Sequence, residues 1–362
     1  MPVTSNARPT VPYAQRVSAF VQLGRVFHLF AASAPWPGHA CGLDQAEYEE
    51  FDALIRRARQ RNGWFTEENV RHALGGLSVM LQEETLKAWL AAYPELERPR
   101  SVARTVGLVL AGNIPLVGFH DVLCVVLSGH RARIKCSSDD AELIPAAINM
   151  LEHFAPGIAA QAEVTMGKLT DVEAVIATGS NNTSRYFEHY FGHLPRLVRK
   201  GRVSVAVLDG TETEAELKDL GEDLFRYFGL GCRNVSKLYV PREYDLDRVF
   251  GAIFPWQDIV NHNKYANNYD YNRALWMLDR VPILENGFVV FKEETALASP
   301  VAAVYYERYD DVKAVERSLE VQAEQIQCVV GHGHVPFGSA QCPAPGEYAD
   351  GVDTLGFLLD LK

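Results

Sequence analysis

The sequence is short of the features that stapled, nucleic-acid-binding or membrane-spanning proteins depend on. Its 362 residues hold only six cysteines, at 41, 124, 136, 232, 328 and 342, and none forms a CxxC pair. Secreted disulfide scaffolds are far denser in cysteine, so this usage predicts reduced thiols in a cytoplasmic protein. Positive charge is also scarce. Lys and Arg number 35 against 46 Asp and Glu, a net charge of -11. That balance repels phosphate backbones and anionic lipid, which argues against nucleic acid as a partner. No apolar run is clean enough to span a bilayer, because the longest, 106–129, carries Asn113, Pro115, His120 and Asp121 near its middle. Neither GxGxxG nor a Walker A loop occurs, and no internal repeat is visible. MPVTSNARPTVPYAQR at the start lacks an apolar signal segment, and LLDLK at the end carries no retention or prenylation signal, so export is not expected.

What is present is an ordinary globular composition, 48% hydrophobic and 22% charged, of a length suited to about two domains. From about Ala14 to Tyr93 apolar residues recur at helical spacing, as in Val17, Phe20, Val21 and Phe27, then Leu77, Met80, Leu81 and Leu86. From Val106 the texture changes to short apolar runs: VGLVLAG, ARIKC, VEAVIATG and VSVAVLDG. These read as buried parallel strands, with crossover helices expected at 117–127, 140–154 and 183–191. The pattern predicts a doubly wound α/β fold behind a helical amino-terminal region. A second α/β unit is expected from near Val203. Thr213 and Glu216 have capping-box spacing at the start of a helix that Gly229 should stop. KLYVP, FVVFKEE and VAAVYYE read as further strands, Asp245 as the start of a helix through Val249, Phe250 and Ile253, and about Asp311–Gln325 as another helix. The expected divisions are 1–198, 199–335 and 336–362.

Four groups of residues could carry chemistry. Cys232 follows Gly231 in FGLGCRNVSKLYVP, between a helix and a strand, where glycines leave a sulfur approachable. Arg233 and Lys237 add positive charge, which favours thiolate over a thiol of unperturbed pKa ~8.5; the alternative is a buried structural cysteine. Asn113, in the loop after VGLVLAG, can offer its amide to a developing oxyanion, or bond its own backbone as a turn asparagine. Lys135, Ser137 and Ser138 in RIKCSS, and Thr178, Gly179 and Ser180 in ATGS, end strands where following helices begin, a setting that attracts phosphate. Cys328, His332, His334 and Cys342 have metal-binding side chains in a spacing that fits no common zinc module. A Cys-His hydrolase, with Cys232 activated by His189, His193 or His262, is a further alternative.

These elements stand in the order found in the aldehyde dehydrogenase superfamily. AGNIPL resembles its oxyanion-hole loop, RIKCSS its lysine strand, ATGS its phosphate-proximal turn, GLGC with SKLYVP its nucleophile segment, and VPFGSAQCPAPGEYADG its Pro-Phe-Gly motif. HNKYANNYDYN and EYADGVDT, with the short chain, resemble most closely the LuxC-like acyl-CoA reductases, which form long-chain fatty aldehydes. The resemblance runs from about Val17 to Phe357. It implies a nicotinamide-binding domain within 1–198, a cysteine domain at 199–335, and a carboxyl-terminal segment that returns to the cofactor domain or an oligomer interface. Cys232 would be the nucleophile and Asn113 the oxyanion donor, with Lys135, Ser137, Ser138, Thr178, Gly179 and Ser180 around the cofactor. LVRKGR stands where oxidising members carry Glu-Leu-Gly-Gly, and this loss of the water-activating carboxylate suits reduction of an acyl thioester rather than hydrolysis. ALASP, ending at Pro300, stands where those members hold the nicotinamide ribose. Ser138 replaces a carboxylate that would repel a ribose 2′-phosphate, so NADP(H) is expected. The substrate would be an acyl-CoA or acyl-carrier thioester, with an acyl-activating protein as a possible partner and a homo-oligomer as the expected state. A non-redox cysteine acyltransferase or thioesterase, and a non-catalytic scaffold, are the alternatives.

Overall fold

In the computed structural model, described for residues 10–98, 100, 102–179 and 181–361, eleven strands build two sheets. The first consists of β1 (Thr105–Val109), β2 (Arg131–Lys135), β3 (Ala162–Val164), β4 (Ala174–Thr178) and β5 (Arg196–Arg199). All are parallel, in the order β3-β2-β1-β4-β5. Val106 and Leu108 of β1, and Ala174 to Ala177 of β4, are fully buried, as expected of strands covered on both faces. The chain runs outward from β1 to β3, then returns to lay β4 against the other side of β1. This reversal opens a crevice at the carboxyl ends of β1 and β4, where sheets of this class take ligands.

The second sheet holds β6 (Val203–Val207), β7 (Val235–Pro241), β8 (Leu284–Glu285), β9 (Val290–Glu293), β10 (Ala303–Tyr309) and β11 (Ile326–Gly331). Its order is β11-β6-β7-β10-β9-β8, parallel except for the β8–β9 pair. Helices Tyr13–Ala31, Gln45–Arg61, Glu67–Met80 and Glu83–Leu90 form the helical amino-terminal region and share one hydrophobic core with the first sheet. At the other end of the chain, helix Thr354–Leu359 buries Leu355 and Leu358 in that same core. Arg199 and Arg100 tie it down through Thr354 Oγ1 and the Leu358 carbonyl. No helix among the described residues is long and apolar enough to cross a membrane.

The capping box expected at Thr213 and Glu216 is formed, and the helix covers Glu214–Phe225. Gly229 does not stop it. The helix ends at Phe225, and a tight turn, Arg226–Gly229, follows with Tyr227 and Phe228 in the left-handed region, at φ 55° and 60°. The expected helix at 117–127 starts later, at Phe119, because Leu116 is also left-handed, at φ 58°. The one at 140–154 is a short turn, Ser138–Asp140, followed by a helix over Leu143–Phe154. That at 183–191 begins at Asn181. Strands β3, β5, β8 and β11 escape the sequence pattern. β3 has three residues, β8 has two, and β5 is an edge strand, Arg-Leu-Val-Arg, with a charge at each end.

Candidate active site

Cys232 sits on the turn between residues 230 and 234, at the amino end of β7, and every residue of that turn is held. Asn234 is buried, and its amide does most of the holding. Its Oδ1 accepts from the Gly231 N–H at 2.8 Å, while its Nδ2 donates to the Asp223 and Arg226 carbonyls at 3.0 and 2.8 Å. Ser204 Oγ, from β6, donates to the Cys232 carbonyl at 3.0 Å and lies 3.1 Å from the Cys328 sulfur. A Cβ on Gly231 would stand 2.9 Å from Asn234 Oδ1, so only glycine fits there. The left-handed pair Tyr227–Phe228, which costs on the order of 1–3 kcal/mol per residue, is held from the helical region. Tyr227 OH meets His72 Nδ1 at 3.0 Å, and Phe228 packs on His262 and Trp64. Arg226 reaches Glu68 and Glu222 and stacks over Trp256.

The turn faces a largely apolar cavity of about 180 Å³. Ala73, Gly76, Leu77 and Met80, one face of helix Glu67–Met80, form a wall of it, and Ile114 to Val117 form another. Cys232, Tyr227, Gln341 and Cys342 complete the end that matters for chemistry. Asn113 is exposed, yet its Nδ2 donates to the Leu230 carbonyl at 2.7 Å, which brings the β1 loop and the Cys232 turn together. The positive charge expected to favour thiolate does not prevail. Burial pushes the Cys232 thiol up, and Arg233 offsets this only in part. The Arg233 side chain is itself spent on the Ala340 carbonyl and Glu347. Lys237 is fully buried, paired with Glu307 and placed over the Tyr239 ring, so its charge is neutralised within the sheet.

The residues expected around a nucleotide gather at the carboxyl edge of the first sheet. Lys135 ends β2 and is exposed, and so is Ser138. Ser137 Oγ caps the turn by accepting from the Asp139 N–H at 3.2 Å. A Cβ on Gly112 would meet Ser137 at 2.6 Å, so the β1 and β2 loops can close on one another only through a glycine. Asp140 is buried. Its Oδ2 accepts from the Leu116 N–H at 2.8 Å, and burial raises its pKa to about 6. Thr178 ends β4, and the Gly179 N–H donates to the Arg199 carbonyl. Ser180 lies outside the described residues. A cleft of about 800 Å³ runs from Ser184, Arg185 and Glu188 past Lys200 and Gly201 to Thr295–Ala298. It therefore joins LVRKGR, which stands at the Glu-Leu-Gly-Gly position, to ALASP, which stands at the nicotinamide-ribose position. A glycine-tight cradle at the switch point is the setting in which sheets of this class take nucleotides.

The other sequence-stated alternatives do not assemble. His332 bonds Asp209 and Glu216, His334 bonds Glu316, and Cys328 bonds Ser204, so three of the four side chains considered for zinc face different partners. Among the described residues no group of His, Cys, Asp and Glu could hold a metal ion. His189 and His193 are exposed, and His262 Nε2 is bonded to the Gly63 carbonyl. None of the three lines the cavity, where the one histidine is His120. His120 Nε2 lies 2.9 Å from the Pro345 carbonyl, and burial lowers its pKa, so it stays neutral. Sequence reasoning missed Asn234, Asp140, Asp223 and Gln341. The first two had a faint signal, in GLGCRN and in the Asp139–Asp140 doublet; the others had none.

No protein-family model matches the chain, and no curated protein does either. Solved structures do. An indole-3-acetaldehyde dehydrogenase of P. syringae, in complex with NAD+ and IAA, aligns at a TM-score of 0.61 with 15% identity, over 88% of this chain and 72% of that one. An NAD-dependent benzaldehyde dehydrogenase of Corynebacterium glutamicum gives 0.61 and 13%, over 88% and 76%. A Mycobacterium tuberculosis aldehyde dehydrogenase complexed with NAD+ gives 0.58 and 13%, over 86% and 71%. The chain thus has the aldehyde dehydrogenase fold, with a helical amino-terminal region before the first sheet.

Proposed function

We propose that the protein is a nicotinamide-dependent oxidoreductase of aldehyde chemistry that reduces an acyl thioester, such as an acyl-CoA or acyl-carrier thioester, to the aldehyde through an acyl-Cys232 intermediate. The observation that carries the reading is the pinned turn that opens Cys232 into an apolar cavity, with the Asn113 loop bonded to the same turn. In acyl transfer the Cys232 sulfur attacks the thioester carbon, the carbonyl electron pair moves to oxygen, and collapse expels the donor thiol with the proton from Cys232. Asn113 and a backbone N–H stabilise the oxyanion, a contribution on the order of 3 kcal/mol in such sites. The raised thiol pKa keeps Cys232 protonated and unreactive toward water-borne electrophiles until substrate fills the cavity. The cavity's carboxylates, Asp121 and Glu347, are ion-paired with Arg199 and Arg233, which agrees with an acyl-enzyme that is not hydrolysed.

The carboxyl edge of the first sheet would hold the nicotinamide cofactor, with Lys135, Ser137, Ser138, Thr178, Gly179 and Ser180 at its phosphate and adenosine end. Bound there, the cofactor supplies the hydride that reduces the acyl group. We assign this role to 1–198, the nucleophile to 199–335, and closure of the site to 336–362. Ser138 in place of a carboxylate, beside Lys135, favours NADPH. The test is intact-protein mass spectrometry after exposure to acyl-CoAs of graded length without reductant. One acyl adduct is expected, mapped to Cys232 and absent from Cys232→Ser, and it should disappear on adding NADPH as aldehyde is released. An adduct at another cysteine, or one unaffected by NADPH and NADH, refutes the assignment.

A further inference from the structure

Helix Glu67–Met80 carries two adjacent glycines, Gly75 and Gly76, in its interior, where each destabilises a helix relative to alanine. The two face different neighbours. A Cβ on Gly75 would stand 3.6 Å from the Ala31 Cβ, at the seam with helix Tyr13–Ala31. A Cβ on Gly76 would stand 3.7 Å from the Cys342 sulfur and 3.9 Å from the Gln341 carbonyl oxygen, both of them residues of the Cys232 cavity. Those are ordinary contacts, so nothing forbids a side chain at Gly76, and its absence leaves a hollow in the cavity wall. The walls on either side of the hollow are fixed. Val70 and Leu74 of the same helix are fully buried in the first core, and Arg71 ties the helix to the Phe30 carbonyl and to Asp52. Across from it, the Asp223 carboxylate accepts the Gly338 and Ala340 N–H groups at 2.7 and 2.9 Å, and Arg233 holds the Ala340 carbonyl.

The cavity is also short. Gln341 runs along it, with its backbone carbonyl near Gly76 and its Oε1 3.7 Å from where a Cβ on Gly231 would stand. One glutamine side chain therefore separates the Gly76 wall from the Cys232 turn. The volume agrees, because an apolar cavity of about 150 Å³ holds benzene, so one of about 180 Å³ holds about seven non-hydrogen atoms. Beyond the apolar walls the lining is ionic: Asp121 pairs with Arg199 at 2.6 Å, and Arg233 with Glu347 at 3.1 Å. Methylenes laid against these pairs would strip water from charges and gain little. We infer that the acyl group taken by this site is compact, of about four to eight carbons or a single ring, rather than the long chain that the sequence resemblance implies. Gly76 sets the limit, because the hollow it leaves takes the distal carbons. The inference rests on the acyl-transfer reading above and names the size of its substrate.

The test is the second-order rate constant for acylation of Cys232, read by rapid-quench mass spectrometry without cofactor. The panel is acetyl-, butanoyl-, hexanoyl-, octanoyl-, dodecanoyl-, hexadecanoyl- and benzoyl-CoA, with wild type, Gly76→Ala, Gly76→Leu and Met80→Ala. Each methylene that finds room should raise the rate constant about fourfold. The wild-type series should climb to hexanoyl or octanoyl and fall beyond, with benzoyl accepted. Gly76→Ala should bring the break about one carbon earlier, and Gly76→Leu, which fills the hollow with an isobutyl group, should lower the octanoyl-to-acetyl ratio on the order of 10²-fold. Met80→Ala, which removes bulk from the same wall, should move the break to longer chains. A wild-type series that climbs to hexadecanoyl overturns the inference, and so do breaks that stay in place in all three variants. A loss uniform across the panel in the Gly76 variants also overturns it, since that marks a structural role. A wild-type protein that forms no Cys232 adduct with any member refutes the acyl-transfer reading and this inference with it, a result distinct from adducts of the wrong length.

Discussion

Asp223 couples the stability of the site to pH in a way that can be worked out. Its carboxylate is buried, and although it accepts two backbone N–H bonds, desolvation raises its pKa from 3.8 to about 6. The folded state therefore holds this proton more tightly than the unfolded state does. The associated stability is fully present below pH 3.8 and is lost as pH rises through about 6. A shift of about 2 units corresponds to about 3 kcal/mol. Asp223→Asn removes that dependence, since the amide does not titrate. At pH 7 it also relieves the buried charge, but it turns an NH₂ toward one of the two backbone N–H groups, at a cost of about 1–3 kcal/mol. The two effects oppose each other near neutrality, so the variant should be close to wild type at pH 7 and less stable by about 2 kcal/mol more at pH 4. Urea denaturation at pH 4, 5, 6 and 7 measures this difference directly. Asp140, with a pKa also raised to about 6, contributes equally to both proteins and cancels. A stability gap that stays constant across that range would show that Asp223 is not the group described.

Three further outcomes are expected. Asn234→Ala removes three hydrogen bonds from the Cys232 turn and should destabilise the protein by on the order of 3 kcal/mol by denaturant titration, while exposing Cys232 to faster alkylation. Because burial raises the Cys232 thiol, its iodoacetamide labelling rate should still climb above pH 9, and a plateau near pH 7 would contradict the buried site. Ser138→Glu should reverse an NADPH preference into an NADH preference in steady-state kinetics, and a wild-type protein that uses NADH equally well would show that Ser138 does not set the choice.

Short-range pattern decided much of this protein before any folding was considered. The runs VGLVLAG, ARIKC and VEAVIATG specify buried strands because a parallel strand covered on both faces has to be apolar throughout. Thr213 and Glu216 specify a helix start because their bonds close within four residues. The residue types at Cys232 and Asn113, and the order of the motifs, were legible for the same reason. Tertiary structure decided what depends on distant partners. No local rule places Gln341 beside Gly231, or makes Asp223 the shared support of both, because these contacts follow from the packing of the carboxyl-terminal segment on the helix before Cys232. The state of the thiol was likewise out of reach. Sequence put Arg233 and Lys237 nearby, but only the fold shows Lys237 turned into the sheet toward Glu307, Arg233 spent on Ala340 and Glu347, and the sulfur desolvated. Charge acts through distance and burial, and neither is a property of sequence separation.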